Sequence, residues 1–310
     1  MRLFTQKEQK IMEKLICMSE QQILKSMYKI CKQKYKDITL TKDYLCMKGD
    51  IPIALVAHAD KVFPTNPSNI LYDKDQNIMI GVGGAGFDDR AGIFAILHIL
   101  SNTDLKPSIV ITTAEERGGF GADAFSRLEL NNYKDHINYF IELDRRGSND
   151  CVFYDCVNDE FTKYIEGFGF HTAFGTFSDI GVICEDFGIA GVNLSIGYRD
   201  EHTASEVLYV NNMFSTIDKV IDMLSQKNIP FFKFIPNPCY RFSPYYHFNR
   251  DCQCAKCKLY FTEDELFPVE GLGHVCPDCL CANQDIDWCP NCGEAYLVSK
   301  QHKCITGYKK

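Results

Sequence analysis

Seven side chains in the first two thirds of the sequence have the types and order of a metal-ligand set. They are His58 and Asp60 in AHAD, Asp88 in FDDRAG, Glu115 and Glu116 in TAEERGG, Asp144 in ELDRR, and His202 in EHTASE. Any one alone is unremarked chemistry: a lone histidine is usually a satisfied core or surface residue, and a lone acidic pair is usually solvated. Placement changes the reading, because AHAD, TAEE and ELD each close an apolar run. A buried or half-buried charge needs a partner, and metal ions supply one. Histidine nitrogen and carboxylate oxygen are suitable zinc ligands at about 2 Å. Two ions close together need a shared anionic ligand to screen their repulsion. Such a pair can lower the pKa of bound water and clamp both oxygens of a transition state. The inventory fits five protein ligands, one general base and one orienting carboxylate.

The elements around these residues predict how they are held. Residues 6–34 read as helix from the spacing of Ile11, Leu15, Ile16, Ile23, Leu24, Met27 and Ile30. ITLTKDYLC over 38–46 reads as a strand, and IPIALVAHAD as a nearly wholly apolar one, suited to a central position covered on both faces. NILYDKDQNIMIG predicts a hairpin turning at KDQN. GFDDRAGIFAILHILSN begins as a polar loop and becomes a helix. KPSIVITTAEE and HINYFIELDRR are two more central strands, DAFSRLELNN is helical, and CVFYDCV is a further strand. NDEFTKYIEGFGF is a helix capped near Asn158 or Asp159, the stretch 176–207 mixes short apolar segments with loops, and VNNMFSTIDKVIDMLSQ is an amphipathic closing helix. Strands alternating with helices predict an α/β fold, a mostly parallel central sheet with helices on both faces. Ligands in such folds bind outside the carboxyl ends of the strands, where AHAD, TAEE and ELD fall.

In that order, H-x-D after a strand, D-D near a helix start, E-E, D and a late histidine, the sequence resembles the di-zinc metallopeptidase clan of aminopeptidases and co-catalytic carboxypeptidases. The resemblance covers roughly residues 40–225. It implies that Asp88 bridges two zinc ions, with a cis peptide between Asp88 and Asp89. It implies that Glu116 and His202 complete one zinc and that His58 and Asp144 complete the other. It also implies that Glu115 is the general base and that Asp60 fixes the tautomer of His58. Asp89 reads equally as a helix cap. Arg90 reads as a salt-bridge partner of the acidic ring or as a substrate contact. Arg145 and Arg146 could favour a substrate carboxylate or balance nearby acids. Ser178–Asp179 resembles a pair in the aminopeptidase branch and is given no catalytic role. His58 to Asp88 spans 30 positions and Asp144 to His202 spans 58. Neither gap holds an inserted domain, so the compact aminopeptidase architecture is expected, although FDDRAG and EERGG look like the oligomeric, insertion-bearing aminopeptidases.

The 16 cysteines are unevenly placed, with nine between Cys252 and Cys304. Cys254-x2-Cys257, 18 residues, then Cys276-x2-Cys279 is a four-thiolate pattern that resembles a zinc ribbon. Zinc there would supply folding energy that a tail of this size lacks. Cys289-x2-Cys292 suggests a second structural zinc, with Cys281 and Cys304 as its natural further ligands and His302 and Cys252 as competitors. The expected organisation is a di-metal hydrolase domain over 1–228, a proline- and aromatic-rich linker over 229–250, and a zinc module over 251–310. Two catalytic zinc ions, or another divalent metal there, and one or two structural zinc ions are expected.

The chain of 310 residues is 45% hydrophobic with a formal net charge of -8. Residues 251–310 hold six lysines, nine acidic residues and no arginine, so phosphate binding is poorly supported and a nucleic-acid partner is not expected. The module instead suits a protein partner, a homo-oligomer interface or a lid. No run of 18 apolar residues and no signal-peptide core is found, so no membrane span and a cytoplasmic location are expected. The function expected is hydrolysis of peptide bonds by an aminopeptidase or dipeptidase. The alternatives are an amidohydrolase or deacylase of N-acylated small molecules, and an inactive hydrolase fold that binds a protein.

Overall fold

Thr5 and Ser19 each open a helix with a reciprocal cap. The Thr5 hydroxyl accepts from the Glu8 amide while the Glu8 carboxylate accepts from the Thr5 amide, and Ser19 with Gln22 repeats the device. The single helix expected over 6–34 is therefore two, α1 (Gln6–Cys17) and α2 (Glu20–Cys31). Met18 between them is extended. The apolar spacing is less regular between Met18 and Ile23, where the break falls, and Ser19-x-x-Gln22 carried the further signal for it.

In the computed structural model the described residues are 2–237, 252–256, 260–261, 266–276, 279–280, 285–289 and 295–300. The chain forms two compact units, Met1–Asn237 and Pro238–Lys310. In the first unit the elements after α2 are β1 (Ile38–Leu40), β2 (Tyr44–Met47), β3 (Ile51–His58), β4 (Ile70–Asp73), β5 (Ile78–Gly81) and α3 (Phe87–Asn102). Then come β6 (Pro107–Thr112), α4 (Phe120–Tyr133), β7 (Tyr139–Arg145), β8 (Asp150–Val152), α5 (Asp159–Glu166) and β9 (His171–Thr172). The unit closes with α6 (Asp179–Phe187), β10 (Gly191–Ser195), β11 (Tyr198–Arg199), β12 (Val207–Tyr209) and α7 (Val210–Leu224).

An eight-stranded sheet runs β1-β2-β6-β3-β7-β10-β8-β9. It is mixed: β6, β3, β7 and β10 are parallel neighbours, while β2 against β6 and β8 against β10 are antiparallel. The chain goes from β3 through α3 to β6 on one side, then through α4 back across β3 to β7. Right-handed crossovers put such oppositely directed connections on opposite faces. Accordingly α3 packs with α1 and α7, and α4 packs with α6. A second sheet, β11-β12-β5-β4, contains the hairpin expected at KDQN, where Asp73 accepts the amides of Asp75 and Gln76.

Several expectations need correction. Residues 38–46 are a hairpin, β1 with β2, rather than one strand. CVFYDCV is strand only through Val152. The stretch 176–207 holds α6 and the central strand β10, with Asn193 and Ser195 buried in that strand. The first part of the proline- and aromatic-rich stretch packs on the first unit: Phe232 and Phe234 are buried, and the Phe232 carbonyl accepts from Ala190 N–H at 2.9 Å. Residues 238–250 of that stretch lie outside the described residues.

Arg90 is the bulkiest of the fully buried side chains. Its guanidinium donates to the carbonyls of Leu15, Met18, Ala59 and Asp60 at 2.6–3.2 Å. It thus ties the end of α1 to the loop after β3, and its hydrogen bonds go to backbone carbonyls and not to the acidic carboxylates. Arg90→Met is expected to destabilise the full chain by about 2–4 kcal/mol, because buried carbonyls lose a charged donor. Denaturant unfolding checks this; a loss below about 0.5 kcal/mol would show that the carbonyls find other partners.

In the second unit β13 (Cys252–Gln253) pairs with β14 (Tyr260–Phe261). A separate sheet runs in the order β16 (Gly273–Val275), β15 (Phe267–Glu270), β18 (Ala295–Leu297), β17 (Ile286–Trp288). Among the described residues Leu266, Val269, Val275 and Ala295 are buried together with Cys254 and Cys276. No helix among the described residues is long and apolar enough to cross a membrane.

Candidate metal centre

His58 ends β3, Glu115 and Glu116 follow β6, and Asp144 lies near the end of β7. These three strands are neighbours and parallel, so their carboxyl ends meet at one edge. Asp88 comes from the start of α3, and His202 from the turn between β11 and β12.

Asp88 stands between the two histidines. Its Oδ1 is 2.9 Å from His58 Nε2 and its Oδ2 is 3.2 Å from His202 Nε2. His58 Nε2 is also 3.5 Å from Asp144 Oδ1, and His202 Nε2 is 3.0 Å from Glu116 Oε1. The structure thus brings together two donor groups, His58–Asp88–Asp144 and His202–Asp88–Glu116, that share Asp88. His58, Asp88 and Glu116 each also offer an atom within 4.8 Å of the others. Donors on one tetrahedral ion with bonds near 2 Å stand roughly 3.3 Å apart, which is the range seen here.

Asp60 does more than its sequence position suggested. Its Oδ1 lies 3.4 Å from His58 Nδ1, a buried nitrogen with no hydrogen bond. The same carboxylate accepts from the amides of Glu115 at 3.1 Å and Glu116 at 3.3 Å. One aspartate therefore touches the His58 ring and fixes the turn that presents both glutamates. Asp89 is drawn away from the cluster: it accepts from Gly92 N–H at 2.8 Å, as a helix cap does, and from His58 N–H at 3.2 Å. The peptide between Asp88 and Asp89 is cis. Arg146 pairs with Glu201 at 2.7 Å, and Arg145 donates to the Phe174 carbonyl. Neither points to a role in the donor set.

Charge shows why a cation fits. Burial raises Glu115 to about 10, aided by Asp144, Asp179 and Asp88. Burial and Asp88 raise Asp144 to about 7, and burial and Asp88 raise Glu116. Burial alone would lower His58, but Asp144, Asp60 and Asp88 outweigh it and raise it well above the usual histidine value. The hydrogen bond to Asp88 raises His202 to about 9. Asp88 itself, despite burial, is held well below the usual carboxylate range by His202 and His58. Arg90 is committed to backbone carbonyls. A divalent cation suits this donor set of imidazole and carboxylate.

Behind Asp144 stand residues that sequence reading either missed, Tyr198 and Asn193, or noticed without a role, Ser178 and Asp179. Tyr198 donates its hydroxyl to Asp144 Oδ1 at 2.9 Å. Asn193 accepts from the Asp144 amide and donates to the Asp144 carbonyl, both at 3.0 Å. Ser178 donates to the buried Glu142 at 2.5 Å and lies 3.4 Å from Asp144 Oδ2. Asp179 is buried and accepts from the Thr112 hydroxyl. The one available signal was polar residues inside an apolar strand, Glu142 in β7 and Asn193 in β10.

In the second unit Cys254, Cys276 and Cys279 each offer a sulfur within 4.8 Å of the others. The Cys276 amide donates to Cys254 Sγ at 3.4 Å. Cys289 is buried and does not belong to this group. Cys257, Cys281, Cys292 and Cys304 lie outside the described residues. Among the described residues two separate clusters are able to hold a metal, one in each unit.

The fold is similar to that of several solved peptidases. A TET aminopeptidase from a marine-sediment archaeon of the Thaumarchaeota matches with a TM-score of 0.58 at 12% identity, over 72% of this chain and 97% of that one. Aminopeptidase PepT of Bacillus cereus matches with a TM-score of 0.53 at 14% identity, over 71% and 97%. The TET1 peptidase of Pyrococcus horikoshii, which assembles into a tetrahedron or a large octahedral shell, matches with a TM-score of 0.52 at 12% identity, over 69% and 98%. No family model and no curated protein matches the chain. At these identities the likeness is one of fold, and chemistry rests on the side chains described above.

Proposed function

We propose that this chain hydrolyses peptide bonds, as an aminopeptidase or dipeptidase, with two divalent cations in the acidic site. The observation that carries the reading is Asp88, whose two oxygens face two different histidines, each with its own further carboxylate. His58 and Asp144 would hold one ion, His202 and Glu116 the other, and Asp88 both. Divalent ions there supply Lewis acidity toward a carbonyl and make water more acidic.

The protein's own part is positioning and proton transfer. Asp60 orients the His58 ring and the glutamate turn together. Tyr198 and Asn193 fix Asp144 from the side chain and from the backbone. Glu115 is the general base: divalent cations beside it would offset the burial and the neighbouring acids that raise its carboxyl, leaving a carboxylate that takes a proton from water as the water oxygen bonds to the carbonyl carbon. The same proton then goes to the departing nitrogen as the carbon–nitrogen bond breaks. In the second unit a structural zinc on Cys254, Cys276 and Cys279, with Cys257, would staple the small core, and a second zinc would use Cys289 with Cys281, Cys292 and Cys304.

Zinc quantification on the reconstituted full-length protein is expected to saturate at about four ions per chain, the sum of two such pairs of sites. It should be run beside hydrolysis of peptides with free and with blocked amino termini. Cleavage of the free peptides alone supports the exopeptidase reading. Cleavage only of the blocked ones makes the enzyme an amidohydrolase. A saturated ratio near one would sink both metal sites.

A further inference from the structure

Glu206 lies four residues beyond His202 and is 1% exposed. Its two oxygens are both engaged by the loop that carries Asp88. Oε2 accepts from Gly86 N–H at 2.6 Å and Oε1 accepts from Asp88 N–H at 3.1 Å. These amides open a helix-start segment, where N–H groups lack intrahelical partners and need an acceptor. Such an acceptor normally comes from a cap a residue or two away. Here it comes from the far side of the sequence, 118 and 120 positions on. Gly86 adopts a left-handed backbone with φ of 71°, so no local side chain fixes this turn at low cost. Meanwhile the Glu206 amide donates to the Thr203 carbonyl at 3.2 Å, which ties the glutamate to the turn holding His202.

We infer that Glu206 is a positioning residue for the metal centre: it clamps the backbone of Asp88 to the turn that carries His202. The inference rests on the reading of Asp88 as shared ligand. Asp88 must aim one oxygen at His58 and the other at His202, and a small rotation of its backbone would lose one of them. Glu206 removes that freedom, and it couples Asp88, at the start of α3, to the turn that carries His202. His58 and Asp144 do not depend on it in this way.

The test uses full-length protein, loaded with zinc and dialysed against a graded chelator series. Glu206→Ala and Glu206→Gln are compared with wild type, and the zinc of the second unit serves as reference in each sample. Glutamine keeps the shape but has one accepting oxygen, so it can satisfy one of the two amides. Acidic-site zinc is expected to be stripped at about 10–100-fold lower chelator in Glu206→Ala, with Glu206→Gln between it and wild type. Second-unit zinc should not move. In hydrolysis, kcat should fall more than KM rises. A merely structural role would lower the Tm of the metal-free protein and leave the chelator series unchanged, and that result overturns the inference. Should Glu206→Ala fail to fold, Glu206→Gln decides the matter alone. Wild-type protein that takes up zinc only in the second unit would instead overturn the metal centre, and this assignment with it.

Discussion

Asp88→Ala empties both halves of the acidic site and abolishes hydrolysis. The expectation follows from geometry and from charge together. Asp88 is the one side chain placed between both histidines, 2.9 Å from His58 and 3.2 Å from His202. Its loss removes a ligand from each proposed ion and also the anion that would screen one dication from the other. At a separation of a few ångströms that repulsion is not small: about 4 kcal/mol for two unit charges at 4 Å in a medium of effective dielectric 20, and fourfold that for two dications. His202→Ala is a different case. The imidazole faces only Asp88 and Glu116, so its removal weakens one ion and leaves the screen in place. Zinc counts on full-length protein should fall by about two for Asp88→Ala and by about one for His202→Ala, each set against the unchanged thiolate-held zinc of the second unit. Two tightly held acidic-site ions in Asp88→Ala would show that the bridge is assigned to the wrong residue.

Glu115→Gln is expected to keep the metal and lose turnover. Glu115 carries no ligand role in the proposed site; its side chain is half-buried, and its carboxyl feels the charges of Asp144, Asp179 and Asp88. Glutamine preserves the shape and the backbone amide that donates to Asp60, so the glutamate turn should stand. What it cannot do is take a proton. A positioned acid or base contributes about 10²–10⁴-fold, and kcat should fall by that factor with zinc content near wild type. Near-wild-type kcat would mean that another group moves the proton. Loss of zinc along with activity would make Glu115 a ligand.

Much of this arrangement was readable before the structure. The strand-end placement of AHAD, TAEE and ELD holds because long apolar runs have few homes other than the middle of a sheet, and polar residues at their ends must then emerge at its edge. The helix cap of Asp89 was equally local, a short side chain three residues before the amide it accepts. What escaped was non-local. Strand β10 holds a buried amide at Asn193 and a buried hydroxyl at Ser195, so its alternation looked like a loop. Its polar side chains are satisfied by Asp144, Arg146, Asp150, Tyr154 and Ser178, none of them a neighbour in sequence. Arg90 misled for the same reason: beside acids in sequence, its guanidinium is answered by carbonyls of α1 and of the loop after β3. Glu206 could be seen as an acid near His202, but its partners lie on the other side of the chain.

Asn193 also has a bearing on how the chain finds its final pairing. In β10, Val192 aligns with Ile141 of β7 and Asn193 with Glu142. A slip by one residue would turn every side chain of the strand to the opposite face. Apolar burial alone resists such a slip weakly in a strand of five residues enclosed on both sides, since either face can take Val or Leu. The Asn193 carboxamide resists it strongly, because only the native alignment lets it meet both the amide and the carbonyl of Asp144. The residue acts as a ruler for the strand. Because those bonds go to the backbone of Asp144, the asparagine fixes where Asp144 stands without occupying its carboxylate.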